Sequence, residues 1–367
     1  MLRYVSYSTQ QTMICNKFLP ILLFLSFSLA VFSQAPKYSN EFLSIGVGGR
    51  AMGMSGAVVG TVNDATAAVW NPAGLTSIKG NVQVSAMHAE LFAGISKFDY
   101  VTLATHIDST RTIGFSIIRF GTDDIPNTLE LIDASGAIDY SKVKAFSIAD
   151  YAFLFSYAKD SRIEGLHFGG NAKIIHRKAG EFGKAWGFGF DLGAQYQLNS
   201  WNFGLMAKDV TSTFNAWSFN TDLLESAFVQ TGNEIPKNST EITLPKLIFG
   251  AGYKYNFSKK ISALIEIDAD MTFDGQRNVL ISSDPVSIDP HIGLEFGYGD
   301  FIFLRGGIQN IQNVKNLDGT VSKIIQPNLG LGIKFGRLSI DYALTNIGQE
   351  TLYSNVFSIK LDIYKNR

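Results

Sequence analysis

Lys259-Lys260-Ile261-Ser262-Ala263-Leu264-Ile265-Glu266-Ile267-Asp268-Ala269-Asp270-Met271-Thr272-Phe273 alternates. Successive side chains of an extended chain point to opposite sides. Ile261, Ala263, Ile265, Ile267, Ala269 and Met271 therefore share one face, and Glu266, Asp268 and Asp270 the other. A mid-strand carboxylate facing lipid costs a few kcal/mol, so the apolar face must be the one that meets lipid and the acidic face must line a lumen. Length agrees: strands of about 9–14 residues cross a bilayer when tilted, whereas sandwich strands run about 5–6.

The same pattern recurs from about residue 81 onward. It predicts fourteen antiparallel strands near 81–90, 97–107, 111–121, 148–159, 164–178, 185–198, 200–210, 244–256, 259–273, 287–298, 300–310, 326–336, 337–347 and 354–364. Leu329, Leu331, Ile333 and Phe335 oppose Gly330, Gly332 and Lys334. Leu338, Ile340, Tyr342 and Leu344 oppose Ser339, Asp341 and Thr345, and Phe357, Ile359, Leu361 and Ile363 oppose Ser358, Lys360 and Asp362. Tight connections at Asn199-Ser200, 256–260, 298–300 and 335–337 alternate with long ones at 122–147, 211–243, 274–286 and 311–325. Short periplasmic turns and long outer loops are the pattern of a transmembrane outer-membrane β-barrel, and an even strand count puts both ends on the periplasmic side. The competing architecture, a soluble β-sandwich, alternates too but turns its apolar face inward. The long loops carry Ile125, Leu129, Leu131 and Ile132, and then Phe214, Trp217, Phe219, Leu223, Leu224 and Phe228. Trp217, Phe219 and Phe228 are candidate outer-loop contacts, either in a folded cap that meets a partner or packed on the barrel mouth.

Composition bounds the function. With 31 basic and 32 acidic residues the net charge is −1, which removes a nucleic-acid footprint. Charged residues make up 17% and aromatics 13%, as suits a β protein facing an apolar phase. The N-terminus is laid out as a secretory leader over 1–34: Arg3 and Lys17, an apolar run from Phe18 to Phe32, then Ser33 and Ala35 near the expected cleavage point. Met13 is an alternative start. The single cysteine, Cys15, lies in that leader and is poorly placed for lipidation.

Residues 35–80 do not alternate. Glu41-Phe42-Leu43 is followed by Gly48-Gly49-Arg50-Ala51-Met52-Gly53, Gly56-Ala57, Asn63-Asp64 and Trp70-Asn71-Pro72-Ala73-Gly74-Leu75. A fourteen-strand barrel is too wide for its own side chains to fill, so this segment is expected as a hatch in the lumen of an 81–367 barrel. Gly48, Gly49, Gly53 and Gly56 let its backbone approach the wall, and Ala65, Ala67 and Ala68 allow a tightly packed short helix. Pro72 holds Asn71 extended, so Trp70-Asn71-Pro72 reads as the turn from hatch into first strand, with Trp70 at the membrane interface or the hatch–wall contact. A buried Arg50 requires a lumen carboxylate, for which Asp191, Glu266, Asp268, Asp270 and Asp341 are candidates.

Sites for chemistry do not emerge. Gly46-Val47-Gly48-Gly49-Arg50-Ala51 lacks the βαβ unit of a dinucleotide fingerprint. Glu266, Asp268 and Asp270 form a luminal stripe rather than an EF-hand, and His88, His106, His167, His176 and His291 have no zinc spacing. No nucleophile elbow appears. The expectation is a non-enzyme without cofactor or metal.

The 41–75 motifs, with Ile292-Gly293-Leu294-Glu295-Phe296 and Phe303-Leu304-Arg305-Gly306-Gly307, resemble the PorV/PorQ group of outer-membrane proteins, itself similar to FadL-type fatty-acid transporters. That resemblance implies a fourteen-strand barrel with an internal hatch in the bacterial outer membrane. It implies a binding or scaffolding role in type IX protein secretion and surface attachment, with cargo C-terminal signal domains and a sortase or translocon as partners. A PorV-like carrier, a PorQ-like anchor and an unassigned paralogue all fit. The alternative is a FadL-like transporter of hydrophobic small molecules, with such a ligand, detergent or lipid in the lumen.

Overall fold

The computed structural model describes residues 39–133, 135–316, 318–346 and 353–365. The expected leader, 1–34, lies outside them. Fourteen strands close into an antiparallel barrel. They are β1 (Val82–Leu91), β2 (Ser96–His106), β3 (Arg111–Asn127), β4 (Lys144–Asp160), β5 (Leu166–Ala179), β6 (Gly183–Leu198), β7 (Trp201–Lys208), β10 (Lys246–Asn256), β11 (Ile261–Thr272), β12 (Ser287–Tyr298), β13 (Ile302–Lys315), β14 (Val321–Phe335), β15 (Leu338–Asn346) and β16 (Tyr353–Ile363). Each pairs with the next, and β1 closes on β16 from Val82–Ile363 to Glu90–Asn355.

The alternation has the sense that the carboxylates demand. Ile265, Ile267, Leu294, Leu304, Leu329, Ile340 and Ile359 are exposed on the outer surface, whereas Glu266, Asp268, Asp341 and Arg305 are buried inside. Tyr157, Trp201, Tyr255, Tyr298 and Phe335 ring the outer face near the short turns, where amphipathic rings anchor a barrel at the membrane interface.

Three expectations about the connections change. β3, β4, β13 and β14 extend past the predicted strand ends, so the loops expected at 122–147 and 311–325 shrink to 128–143 and 316–320. Alternation continues into those stretches, and a register shift between Thr122 and Ile125 lets β3 stay paired with β4. The segment 211–243 is ordered rather than a loop, containing β8 (Thr213–Phe219), an α-helix (Thr221–Thr231) and β9 (Thr240–Thr243). β8 takes over the edge of β6 above the point where β7 ends, and β9 adds to β8. Finally, the barrel itself begins and ends at the short-turn side, but the described chain starts at the opposite end. Ser39 donates to Glu241 at 2.8 Å and Asn40 to Thr243 at 2.8 Å, both on β9.

Candidate functional site: a partitioned lumen

Residues 39–78 enter at the long-loop end, descend through the ring and touch strands on every side of it. The segment folds as a 3-10 turn (Glu41–Ser44), α1 (Gly49–Gly53), α2 (Ala67–Trp70) and a second 3-10 turn (Pro72–Ser77). Its helices are too short to hold themselves, and the wall supplies their missing partners. Gly49 N–H donates to Ser358 Oγ at 2.8 Å, and Gly48 N–H approaches Met87 Sδ at 2.9 Å. Asp268 accepts from Val58 N–H at 2.9 Å and Val59 N–H at 3.0 Å, while Glu266 accepts from Gly60 N–H at 2.6 Å and from the Thr61 hydroxyl. Asn71 accepts from Ala73 N–H at 3.2 Å and donates to Val59 O at 2.9 Å and Ala194 O at 3.0 Å. Asn171 Nδ2 donates to Ala68 O at 2.8 Å.

Close approach requires the absence of side chains on both surfaces. A β-carbon on Gly49 would lie 2.9 Å from the Asp341 carbonyl carbon, and one on Gly53 would lie 2.8 Å from Gly330 Cα. From the wall side, a β-carbon on Gly307 would sit 2.6 Å from the Met54 carbonyl carbon, and one on Gly193 2.2 Å from Asn71 Oδ1. Gly74 is pressed against Val62 O, Pro72 lies against Gly169, and Gly56 lies under the Trp70 ring.

A chain of four charges pins α1. Arg50 Nε lies 3.1 Å from Glu295, Arg305 Nε lies 2.7 Å from the same oxygen, and Arg305 also reaches Asp341 at 2.6 Å. Arg50 thus pairs with Glu295, which was not among its five expected partners. Glu295 faces inward because Leu294 and Phe296 face out, a parity legible in the sequence. The five carboxylates expected from the sequence all point into the lumen but serve otherwise. Asp191 pairs with Lys173 at 2.7 Å, Asp270 with Lys246 at 2.7 Å, Asp341 with Arg305, and Glu266 and Asp268 hold hatch amides. Asp64 is buried against Lys360 at 2.8 Å, and Asn63 faces the cavity below it.

Trp70 is neither at a membrane interface nor at an exit. Its Nε1 donates to Val47 O at 2.8 Å and its ring covers Gly46 and Gly56 inside the lumen. Nor does the chain leave the hatch at Trp70-Asn71-Pro72, because Pro72, Ala73, Gly74 and Leu75 are buried within the ring and the exit follows Ser77. Trp217 and Phe219 stack at 5.6 Å and are half-buried, with Arg177 5.2 Å above Trp217; Phe228 on the helix is half-buried as well. Trp217, Phe219 and Phe228 are thus partly covered, whereas Phe214 and Val229 of the same segment stay exposed.

The segment divides the lumen into two chambers. The lower one, about 350 Å³, is lined by Arg50, Asn63, Asp64, Lys79, Lys254, Glu295, Lys334 and Lys360 near the short turns. The upper one, about 420 Å³, is lined by Ile45, Met52, Val59, Trp70 and Ile248, with Lys208, Lys246, Asp270, His291, Gln309, Asn310 and Gln312 around them. The wall beside this upper chamber is incomplete. The β12–β13 ladder runs from Tyr298–Ile302 to Ile292–Ile308 and stops, although β12 stays paired with β11 to Ser287 and β13 with β14 to Lys315. Gly299 N–H bonds to Lys260 O, which sets odd-numbered residues of β12 toward β11 and even ones toward β13. Pro290 therefore turns toward β13 a nitrogen with no proton, opposite Asn310 with its φ of 52° and the register shift between Gln309 and Gln312. No group of residues able to hold a metal occurs among the described residues.

No family model matches the chain, and no curated protein sequence matches it. Solved structures do. The monoaromatic hydrocarbon channel CymD has a TM-score of 0.56 at 13% identity, with 88% of this chain and 98% of that one covered. The toluene transporter TbuX of Ralstonia pickettii has 0.53 at 13%, covering 87% and 99%. The toluene transporter TodX of Pseudomonas putida has 0.53 at 13%, covering 88% and 99%. At such identities the likeness is one of architecture, and the architecture is the closed fourteen-strand antiparallel barrel of FadL-type outer-membrane proteins.

Proposed function

We propose that the chain is an outer-membrane barrel that admits hydrophobic small molecules to the upper chamber and keeps water-soluble solutes out with its hatch. The observation that carries this reading is the upper chamber itself. Ile45, Met52, Val59, Trp70 and Ile248 give an apolar patch to a chamber of about 420 Å³ that Lys208, Lys246, Asp270 and His291 also line, and the hatch separates it from the lower chamber. The neighbours of like fold, named as channels and transporters of aromatic hydrocarbons, support it. A variant that keeps Trp70 but carries Phe at Trp186, Trp201 and Trp217 tests it in nanodiscs. Bromobenzene should quench Trp70 fluorescence saturably. Quenching that rises only linearly, as in an Ile248→Asp control, would show that the chamber takes no such ligand.

A second reading, a PorV/PorQ-type component of type IX secretion, is favoured by the cap. β8, the Thr221–Thr231 helix and β9 build a folded platform on the long-loop end, suited to protein contact. A deletion strain separates the two readings: loss of proteins with C-terminal signal domains from the cell surface, with hydrophobic uptake intact, supports secretion and sinks transport. Pulldown from outer membranes then identifies a sortase or translocon, or none.

A further inference from the structure

From β2 through β6 to β8, the outer face of the wall changes character over three successive rungs toward the long-loop end. Ile117, Phe153, Ile174, Phe188 and Phe214 stand side by side and are apolar. One rung further out come Asp99, Arg119, Tyr151, His176 and Trp186, and the His176 and Trp186 rings stack at 4.2 Å. The next rung holds Gly121, Ala149, Lys178, Lys184 and Ser218. Apolar groups, then amphipathic rings, then charges is the order in which a bilayer passes from acyl chains to head groups. On β1 to β3 the charges of this zone are matched within the chain. Asp99 lies 2.7 Å from His88 and 3.3 Å from Arg119, and Lys97 lies 3.8 Å from Asp123. On β5 and β6 they are not matched. Lys178 and Lys184 face each other directly across the two strands. Gln197 N–H bonds to Gly165 O, which makes odd-numbered residues of β5 the ones that exchange hydrogen bonds with β6. Lys178 and Lys184 therefore form one of the closer pairs, with Cα atoms about 4.5 Å apart. Both are exposed, neither has an ion-pair partner among the described residues, and their other rung neighbours are Ala149 and Ser218. Glu181, in the turn that joins the two strands, is exposed and pairs with neither.

We propose that Lys178 and Lys184 bind the phosphate of an outer-leaflet lipid head group, whose acyl chains lie along Ile174, Phe188 and Phe214. Like charges directly opposite each other destabilise a sheet, and an anion between them reverses the sign of that interaction. A phosphomonoester carries about two negative charges and three acceptor oxygens, so it bridges both ammonium groups. Ala149 and Ser218 are small enough to leave it room on either side. The exposed Trp186 ring, stacked on His176, meets the part of the lipid that joins head group to chains. Lysine stems lie along the apolar wall and carry their charges outward to the head-group layer. Phe188 and Phe214 below are exposed and apolar, as an acyl chain requires. The site is on the outer wall and depends on neither the transport nor the secretion reading.

Native mass spectrometry of the full protein released from micelles tests it. Offered at equal concentrations, dioleoyl phosphatidic acid, a phosphomonoester, should be retained at least about tenfold more tightly than dioleoyl phosphatidylcholine. Lys178→Gln combined with Lys184→Gln should bring the two lipids to within about twofold, with heat-modified gel mobility showing that the barrel is folded. Ala149→Glu keeps both lysines but sets a carboxylate directly opposite Lys178, and it should remove the preference as well. Lys178→Arg combined with Lys184→Arg should retain it. No preference in the wild-type protein refutes the site. A preference that survives either the glutamine pair or Ala149→Glu places the lipid elsewhere and refutes it too. Inorganic phosphate in excess separates the two sources of the anion. It should leave phosphatidic acid bound, and displacement of the lipid would show that the lysines hold free phosphate, which overturns the assignment to a lipid.

Discussion

Replacing Asp268 by alanine is the sharpest test of how the hatch is held. In the native chain this carboxylate, 1% exposed, accepts the amides of Val58 and Val59, both buried. Removing it strands two buried donors, each costing about 1–3 kcal/mol. Some of that is recovered, because the substitution also relieves the proximity of Glu266 and water can enter from either chamber. The expected net loss is about 2–4 kcal/mol of local stability, or roughly 30- to 700-fold faster amide exchange over residues 56–62. The barrel should be unaffected, since Asp268 takes part in the wall ladders only through its backbone, which the substitution leaves in place. The assay is exchange by mass spectrometry in micelles, with the Ile292–Tyr298 peptide and heat-modified gel mobility as controls for the wall. If exchange over 56–62 changes less than about threefold while the wall control is intact, wall carboxylates do not anchor the segment, and its position is set by packing alone.

Three further outcomes follow from the same geometry. Gly53→Val puts a β-carbon where Gly330 Cα lies 2.8 Å away, so the hatch cannot seat; the barrel should still assemble, with raised permeability to small sugars in liposome swelling. Lys208 lines the upper chamber over Trp70, at 5.8 Å, with no ion-pair partner among the described residues. Lys208→Met should strengthen bromobenzene quenching of Trp70 and weaken quenching by a brominated carboxylate by roughly 10- to 150-fold, the loss of a charge-assisted contact of about 1.5–3 kcal/mol. At the turn between β2 and β3, the Thr110 amide and the Arg111 guanidinium bring the Asp108 carboxyl down to about 2. A lowered native value means the turn is supported above the ordinary carboxylate range and loses that support only as pH falls through about 2, which the Thr110 amide shift in a pH titration reads.

The wall was legible because a membrane barrel writes its two environments onto alternate residues. One mid-strand run, Ile261 to Met271 against Glu266, Asp268 and Asp270, fixed the facing of the whole ring. The hatch was legible as the segment that does not alternate, but its internal connections were not. Arg50 could be assigned a carboxylate in kind, yet the choice of Glu295 depends on the height at which β12 crosses the lumen, which alternation does not report. Trp70 followed by Asn71-Pro72 suggests an exit turn, but the bonds of Asn71 to Val59 and Ala194 fold the chain back against β5 and β6 instead. β8 was hidden because Thr213 to Phe219 alternates within a stretch whose neighbours do not, so its partner on β6 could not be inferred. The break between β12 and β13 did leave a mark: Pro290, the fourth residue of the predicted strand 287–298, is a missing ladder donor.

The central claim is that residues 39–78 partition the lumen and close the barrel to polar solutes. Swelling of liposomes in isotonic sugar tests it most directly, comparing the wild-type protein with one lacking residues 41–72, at matched amounts of heat-modifiable barrel. The account predicts that the wild-type protein leaves the liposomes intact and that the deleted one lets them swell. Equal behaviour of the two would contradict it.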